Sequence, residues 1–253
     1  MVSEAEAWAG WREYLGRGDI AGGRAFLAEV IDREAPPSRE RALVLYADGV
    51  LAFRQGDTEA SRVRSEAALA MAQELHDDEA EAYALVGLSR VALRNGDFAG
   101  VVRLAERAHA LARDDPDASA APLHMHAAGT RLLGRYDDAR ALYEESLALN
   151  RSRGDARLTA MELHNLTHVE LHRGDVAAAE RRFDEWRSIV GASEDPYDGA
   201  MWSLNSAALA LARGEPERAK ALLDEAEMRL AAAGIVLDPD DAFELQHLHG
   251  AVT

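Results

Sequence analysis

Three histidines stand one helical turn apart at His164, His168 and His172. Residues at i and i+4 share a helix face, so adjacent pairs could chelate one ion, touch a ligand, or pass a proton near neutral pH. The outer two cannot share an ion, because eight residues rise about 12 Å along a helix. A metal at His164 and His168 needs another ligand from a neighbouring helix. The glutamate base of an HExxH zinc helix is missing, since Asn165, Leu166 and Thr167 fill that interval. His124 and His126 lie on different faces of a helix and chelate poorly. Hydrogen bonding to neighbouring helices is the reading that asks least of the stripe.

Other chemistry is hard to build from this chain. It has no cysteine, which removes disulfides, thiolate zinc sites and cysteine nucleophiles. Its serines carry no nucleophile signature. The single lysine, Lys220, is not in a glycine-rich phosphate loop, and Gly16, Gly18 and Gly22 have the wrong spacing for a dinucleotide loop. The acidic stretches 195–198 and 238–241 lack EF-hand spacing and read as loops and helix caps. No catalytic residue and no cofactor is assigned; an enzyme is not the expected class. With 28 basic against 45 acidic side chains, the formal charge is −17. That field repels nucleic acid and anionic membranes. No apolar run approaches a membrane span, and residues 1–11 carry acids rather than a leader's apolar stretch. A cytoplasmic protein is expected.

The elements that must position these residues are set by a recurring turn. It appears as Gly18-Asp19, Gly56-Asp57, Gly96-Asp97, Gly134-Arg135-Tyr136-Asp137, Gly174-Asp175 and Gly214-Glu215, about every 38–40 residues. Around Gly96, Ala82, Leu85, Val86, Leu88 and Leu93 fall at helical spacing before the turn, and Val101, Leu104, Ala105, Ala108 and Leu111 after it. Gly96 supplies a left-handed stop and Asp97 a cap. The acidic break Asp114-Asp115-Pro116-Asp117 ends the pair. Helix pairs are predicted near 3–34, 38–75, 79–112, 119–151, 156–190 and 198–233, with the first pair divided 3–16/20–34 and a capping helix near 240–250. The links are short, so one domain, 1–253, is expected.

Gly49, Ser89, Ala127, Thr167 and Ala207 stand seven residues before their turn glycines. Ala139, Ala179 and Ala219 stand five after, and Ala68, Ala108 and Ala226 twelve after. Ser61, Val101, Ser146 and Trp186 depart from this pattern. It resembles the tetratricopeptide repeat (TPR), whose units keep small residues where the two helices cross. The resemblance covers nearly the whole chain and implies an all-α, right-handed superhelical α-solenoid of about six helix-turn-helix repeats. The longer period is similar to the TPR-like C-terminal region of bacterial LuxR/AfsR-type regulators. Their ATPase and DNA-binding modules are not evident in this sequence.

The resemblance also implies which residues face a concave groove, since TPR solenoids present the first helix of each pair there. Carried over by register, the groove takes Tyr46, Val50, Phe53, Arg54, Tyr83, Arg90, Arg94, His124, Arg131, His164, Asn165, His168, His172, Trp202 and Asn205. Stacking is expected to bring His124 beside His164, so His124, His164 and His168 are the candidates should a metal bind. Arg54, Arg90, Arg94 and Arg131 would set guanidiniums on one face of an acidic protein, chemistry suited to carboxylate or phosphate. Asn165 and Asn205 take the asparagine position of the family's carboxylate clamp, but the groove lacks that clamp's lysine. Trp8 and Trp11 would cover the first repeat or dock a partner. The expected role is an adaptor or regulator that binds a peptide or partner protein. Two alternatives stand beside it: a small-molecule sensor or atypical enzyme using the Arg/His cluster, and a self-assembling scaffold, for example a homodimer.

Overall fold

In a computed structural model, residues 2–112, 115–191, 193 and 195–252 are described. The recurring turns do two jobs. Gly18, Gly56, Gly96, Gly134, Gly174 and Gly214 take φ from 70° to 79°, the left-handed conformation that ends a helix. The next residue's N–H then reaches back five positions, from Asp57 to the Ala52 carbonyl at 3.0 Å and from Asp175 to Glu170 at 2.9 Å. This closes carbonyls the helix end leaves open. The aspartate finally caps the following helix: Asp57 Oδ1 accepts from the Ala60 N–H at 3.0 Å, and Asp97 Oδ1 from Gly100 at 2.8 Å. Arg135 and Glu215 stand at the same place without a side-chain cap. A Cβ on Gly56 would meet no atom within 4 Å. Gly56→Ala therefore isolates the backbone cost of positive φ, expected at about 1 kcal/mol in a urea melt.

Thirteen helices and no strand are present among the described residues. The chain forms two compact units, 1–129 and 130–253. In the first, α1 (Glu4–Gly16), α2 (Ile20–Ile31), α3 (Arg39–Arg54), α4 (Thr58–Leu75), α5 (Asp78–Arg94) and α6 (Phe98–Ala112) make three hairpins. The leading helices α1, α3 and α5 pack in sequence, α1 on α3 and α3 on α5. Gly87 of α5 allows a close approach, since a Cβ there would lie 2.4 Å from Ser65 Oγ on α4. Helix α7 (Pro116–Leu132) ends in the second unit, which holds α8 (Tyr136–Ser152), α9 (Ala156–His172), α10 (Val176–Val190), α11 (Pro196–Ala212), α12 (Pro216–Ala233) and α13 (Pro239–Val252). There α9 pairs with α10 and α11 with α12, α9 packs beside α11, and α13 packs on α11 and α12.

Ser89 and Ala127 in the first unit, and Thr167 and Ala207 in the second, are buried at the helix crossings. Two helix limits move by three residues, the others by two or fewer. α2 stops at Ile31, not 34, because Arg41 takes over its last carbonyls, donating to Val30 O at 3.3 Å and Ile31 O at 2.7 Å. α7 starts at Pro116, not 119, because the Asp115 carboxylate caps it, accepting from Asp117 N–H at 2.8 Å. Asp114 of that acidic break lies outside the described residues. No helix among the described residues is long and apolar enough to cross a membrane.

Candidate binding faces

In the first unit the leading helices bring together four rings. Trp8 and Trp11 of α1 lie 6.2 Å apart between ring centres, Trp8 meets Tyr83 of α5 edge-on at 5.3 Å, and Tyr46 of α3 lies 5.1 Å from Tyr83. Spacing explains part of the set: Trp8 and Trp11 share one α1 face at i, i+3, while Tyr46, ten residues before Gly56, and Tyr83, thirteen before Gly96, are offset by about one helical turn and meet across α3 and α5. Burial, with Tyr46 nearby, pushes the Tyr83 phenol up to about 12 against the pull of Arg12, so it stays neutral.

Arginines frame this cluster. The Arg12 guanidinium sits 4.5 Å from the Trp8 ring centre and 4.8 Å from that of Trp11. Arg90 donates to the Tyr46 hydroxyl at 3.1 Å. Arg94 lies over the Phe53 ring at 4.1 Å and donates to the Phe53 carbonyl at 3.2 Å. Among the described residues, Arg12 and Arg90 meet no carboxylate at ion-pair distance. Val50 and Phe53 are buried, while Arg54 and His124 are half-buried in this same unit.

The second unit places Arg131, His164, His168 and His172 against α13. Arg131, in the last turn of α7, is fully buried and donates to Glu244 Oε1 at 2.7 Å and Asp240 Oδ2 at 3.1 Å. His164 Nε2 meets Asp241 Oδ1 at 3.0 Å, and His164 Nδ1 lies 2.9 Å from Asn205 Nδ2. With the amide nitrogen donating, the imidazole carries its proton on Nε2 and gives it to Asp241. Tyr197 of α11 donates to the other Asp241 oxygen. His172 Nε2 reaches Glu244 at 3.0 Å, and its ring stacks on Tyr136 at 4.5 Å. His168 Nδ1 lies 3.6 Å from Glu244 Oε2. Asn165 donates to its own helix at Met161 O, 3.0 Å, and Trp202 is exposed on α11.

Burial and the counter-charges compete in this cluster. Burial pushes the His168 imidazole down to about 3, outweighing the attraction of Glu244, so His168 is neutral at pH 7. Burial also opposes ionisation of Glu244, and the cationic groups beside it reverse that, holding its carboxyl well below the usual range. Because His168 is neutral, that charge comes from Arg131, with His172 donating a hydrogen bond. Asp241 is likewise held low: burial raises it, but the bonds from His164 and Tyr197 prevail. Burial disfavours the Arg131 cation too, and the carboxylates of Glu244 and Asp240 more than offset it. Arg131 is therefore ionised between ionised acids.

The helix-pair register does not select Asp240, Asp241, Glu244 or Tyr197. The capping helix expected near 240–250 is α13, and Asp240 and Asp241 lie in its first turn, but they bond inward instead of serving only as the loop and caps read at 238–241. The correction has a physical cause. Acids at i, i+1 and i+4 fall on one helix face, and that face meets arginine and histidine instead of water. The spacing was the available signal. Among the described residues, no group of three or more histidine or acidic side chains is placed to hold a metal ion. Tyr46, Arg90, Arg94 and His124 lie in the first unit, and His164 and His168 in the second.

No family model matches the chain, and no curated protein matches it. Solved structures do. The crystal structure of Rap protein complexed with Competence and Sporulation Factor aligns with a TM-score of 0.67 at 13% identity, covering 98% of this chain and 74% of that one. NprR in complex with its cognate peptide NprX aligns at 0.68 and 16% identity, covering 98% and 71%. BtubC from P. vanneervenii aligns at 0.60 and 19% identity, covering 91% of each chain. A kinesin light chain protein of TPR-like repeats from Podosopora anserina aligns at 0.54. At these identities the likeness is one of fold: an all-α chain of TPR-like helix hairpins.

Proposed function

We propose that the chain is a TPR-type binding module, an adaptor or regulator. In this reading it takes a peptide or a segment of a partner protein on the leading-helix faces and holds an anionic group of that ligand with arginine. The observation that carries this is the face of the first unit, where Arg12 and Arg90 flank the Trp8, Trp11, Tyr46 and Tyr83 rings without a carboxylate partner among the described residues. Aromatic rings supply contact area at small entropic cost, and a guanidinium takes a carboxylate with two parallel hydrogen bonds. Two structures of like fold, those of Rap and NprR, are complexes with Competence and Sporulation Factor and with a cognate peptide, which supports the same class of ligand. The sequence likeness to the TPR-like region of bacterial LuxR/AfsR-type regulators, and a cytoplasmic setting, belong to the same reading.

The test is selection from a displayed library of random peptides, followed by binding of synthetic copies with free and amidated C-termini. Enriched peptides should carry a carboxylate, and Arg90→Ala should weaken them about tenfold or more, the scale of about 1.4 kcal/mol. Absence of enrichment, or binding unmoved in both Arg12→Ala and Arg90→Ala, would overturn the proposal.

A further inference from the structure

Helix α13 does not bury the apolar stripe expected of a helix that closes a solenoid. Its buried residues are Asp240, Asp241, Glu244 and one leucine, Leu248. A helix held this way is recognised through its charges more than it is stabilised by them, because desolvation of buried ion pairs consumes most of their attraction. The match is also incomplete. Arg131 Nε, His168 Nε2, Asn165 Oδ1 and Asn205 Oδ1 are buried and find no hydrogen-bond partner among the described residues.

We infer that the Arg131–His164–His172 face of the second unit is a docking site for an acidic helix presenting carboxylates at i, i+1 and i+4, and that α13 is a built-in occupant which such a helix displaces. The chemistry of the partner is read directly from α13. Two adjacent acids engage Arg131 and His164, and a third, one turn on, bridges Arg131 and His172. A tethered occupant acts at a high effective concentration, so it competes without needing tight intrinsic affinity. This inference concerns the second unit and stands or falls apart from the peptide reading of the first.

The probe is a synthetic peptide with the sequence of residues 236–252, labelled for fluorescence anisotropy and added to the full chain. Wild-type chain should bind it weakly. A chain carrying Asp241→Asn and Glu244→Gln, whose own α13 is loosened, should bind it at least tenfold tighter. The same two changes placed in the peptide, or Arg131→Gln added to the loosened chain, should abolish that gain. Hydrogen exchange on the wild-type chain gives a second readout that needs no variant to fold. There α13 amides should exchange faster than those of α9, and excess unlabelled peptide should accelerate them further. If α13 opens only with global unfolding and ignores the peptide, α13 is a structural helix and the inference fails. It fails equally if the loosened chain folds but gains no affinity. A concentration-dependent dimer abolished by Glu244→Gln would assign the site to a second copy of the chain and overturn a foreign partner.

Discussion

Arg131→Ala is expected to destabilise the second unit by about 3–5 kcal/mol, the usual consequence of removing one partner from a buried ionic cluster. The side chain has no solvent exposure and faces two buried carboxylates, Asp240 and Glu244. Without it, both acids either pick up protons against their ordinary tendency or leave with α13. Detachment of α13 limits the loss, so the change should appear first as rapid amide exchange along α13 and then as a lower urea midpoint. Adding Glu244→Gln to Arg131→Ala should recover part of the stability, because a neutral amide is less costly to bury than an unpaired charge. A midpoint within about 0.5 kcal/mol of the parent would place Arg131 among ordinary surface changes and refute the ionic account.

Acid should weaken the same region well above the range in which carboxylates titrate. In the folded chain His168 is held at about 3, whereas an imidazole in an unfolded chain titrates near its ordinary 6.5. Between those values the unfolded state binds the extra proton, so stability is fully present above about pH 6.5 and is lost as pH falls toward about 3. At about 1.4 kcal/mol per pH unit, the loss by pH 5 is about 2 kcal/mol. The charged and titratable groups facing His168 are Glu244 and Asp241 from α13, His164 on its own helix, and Arg131 from α7. Glu244 and Asp241 are also held low and act in the same sense, but below about pH 4.5. Urea midpoints at about pH 7 and pH 5 should therefore differ in the parent, and differ much less in His168→Gln. Equal slopes in the two chains would remove His168 as the source.

The helix pairs were legible because a turn is local. A glycine with positive φ followed by a capping aspartate needs no tertiary information, and the repeated spacing carried the pattern across the chain. Limits failed where a distant side chain decided them, as with Arg41 at the end of α2. Among the proposed site residues, helical spacing alone put His164, His168 and His172 on one face of α9. What meets that face could not be read in the same way. Arg131 and Glu244 are 113 residues apart, and no periodicity links them. The acids at 238–241 read as loop and caps in a chain with a large acidic excess, and only packing shows that those of α13 turn inward.

Helix α9 is gripped on more sides than the histidine face. Glu162 accepts from Ser146 at 2.7 Å and from Asn150 at 3.3 Å, while Glu170 accepts from Arg140 at 2.8 Å and Arg173 at 2.6 Å. These two anchors, eight residues apart, stop the helix from rolling about its own axis or sliding by a fraction of a turn. His164, His168 and His172 thus form a stiff gauge with fixed graduations. Any charged rod laid along it is measured by distance, as the acids of α13 that meet it are: Asp241 at His164 and Glu244, three residues on, at His172.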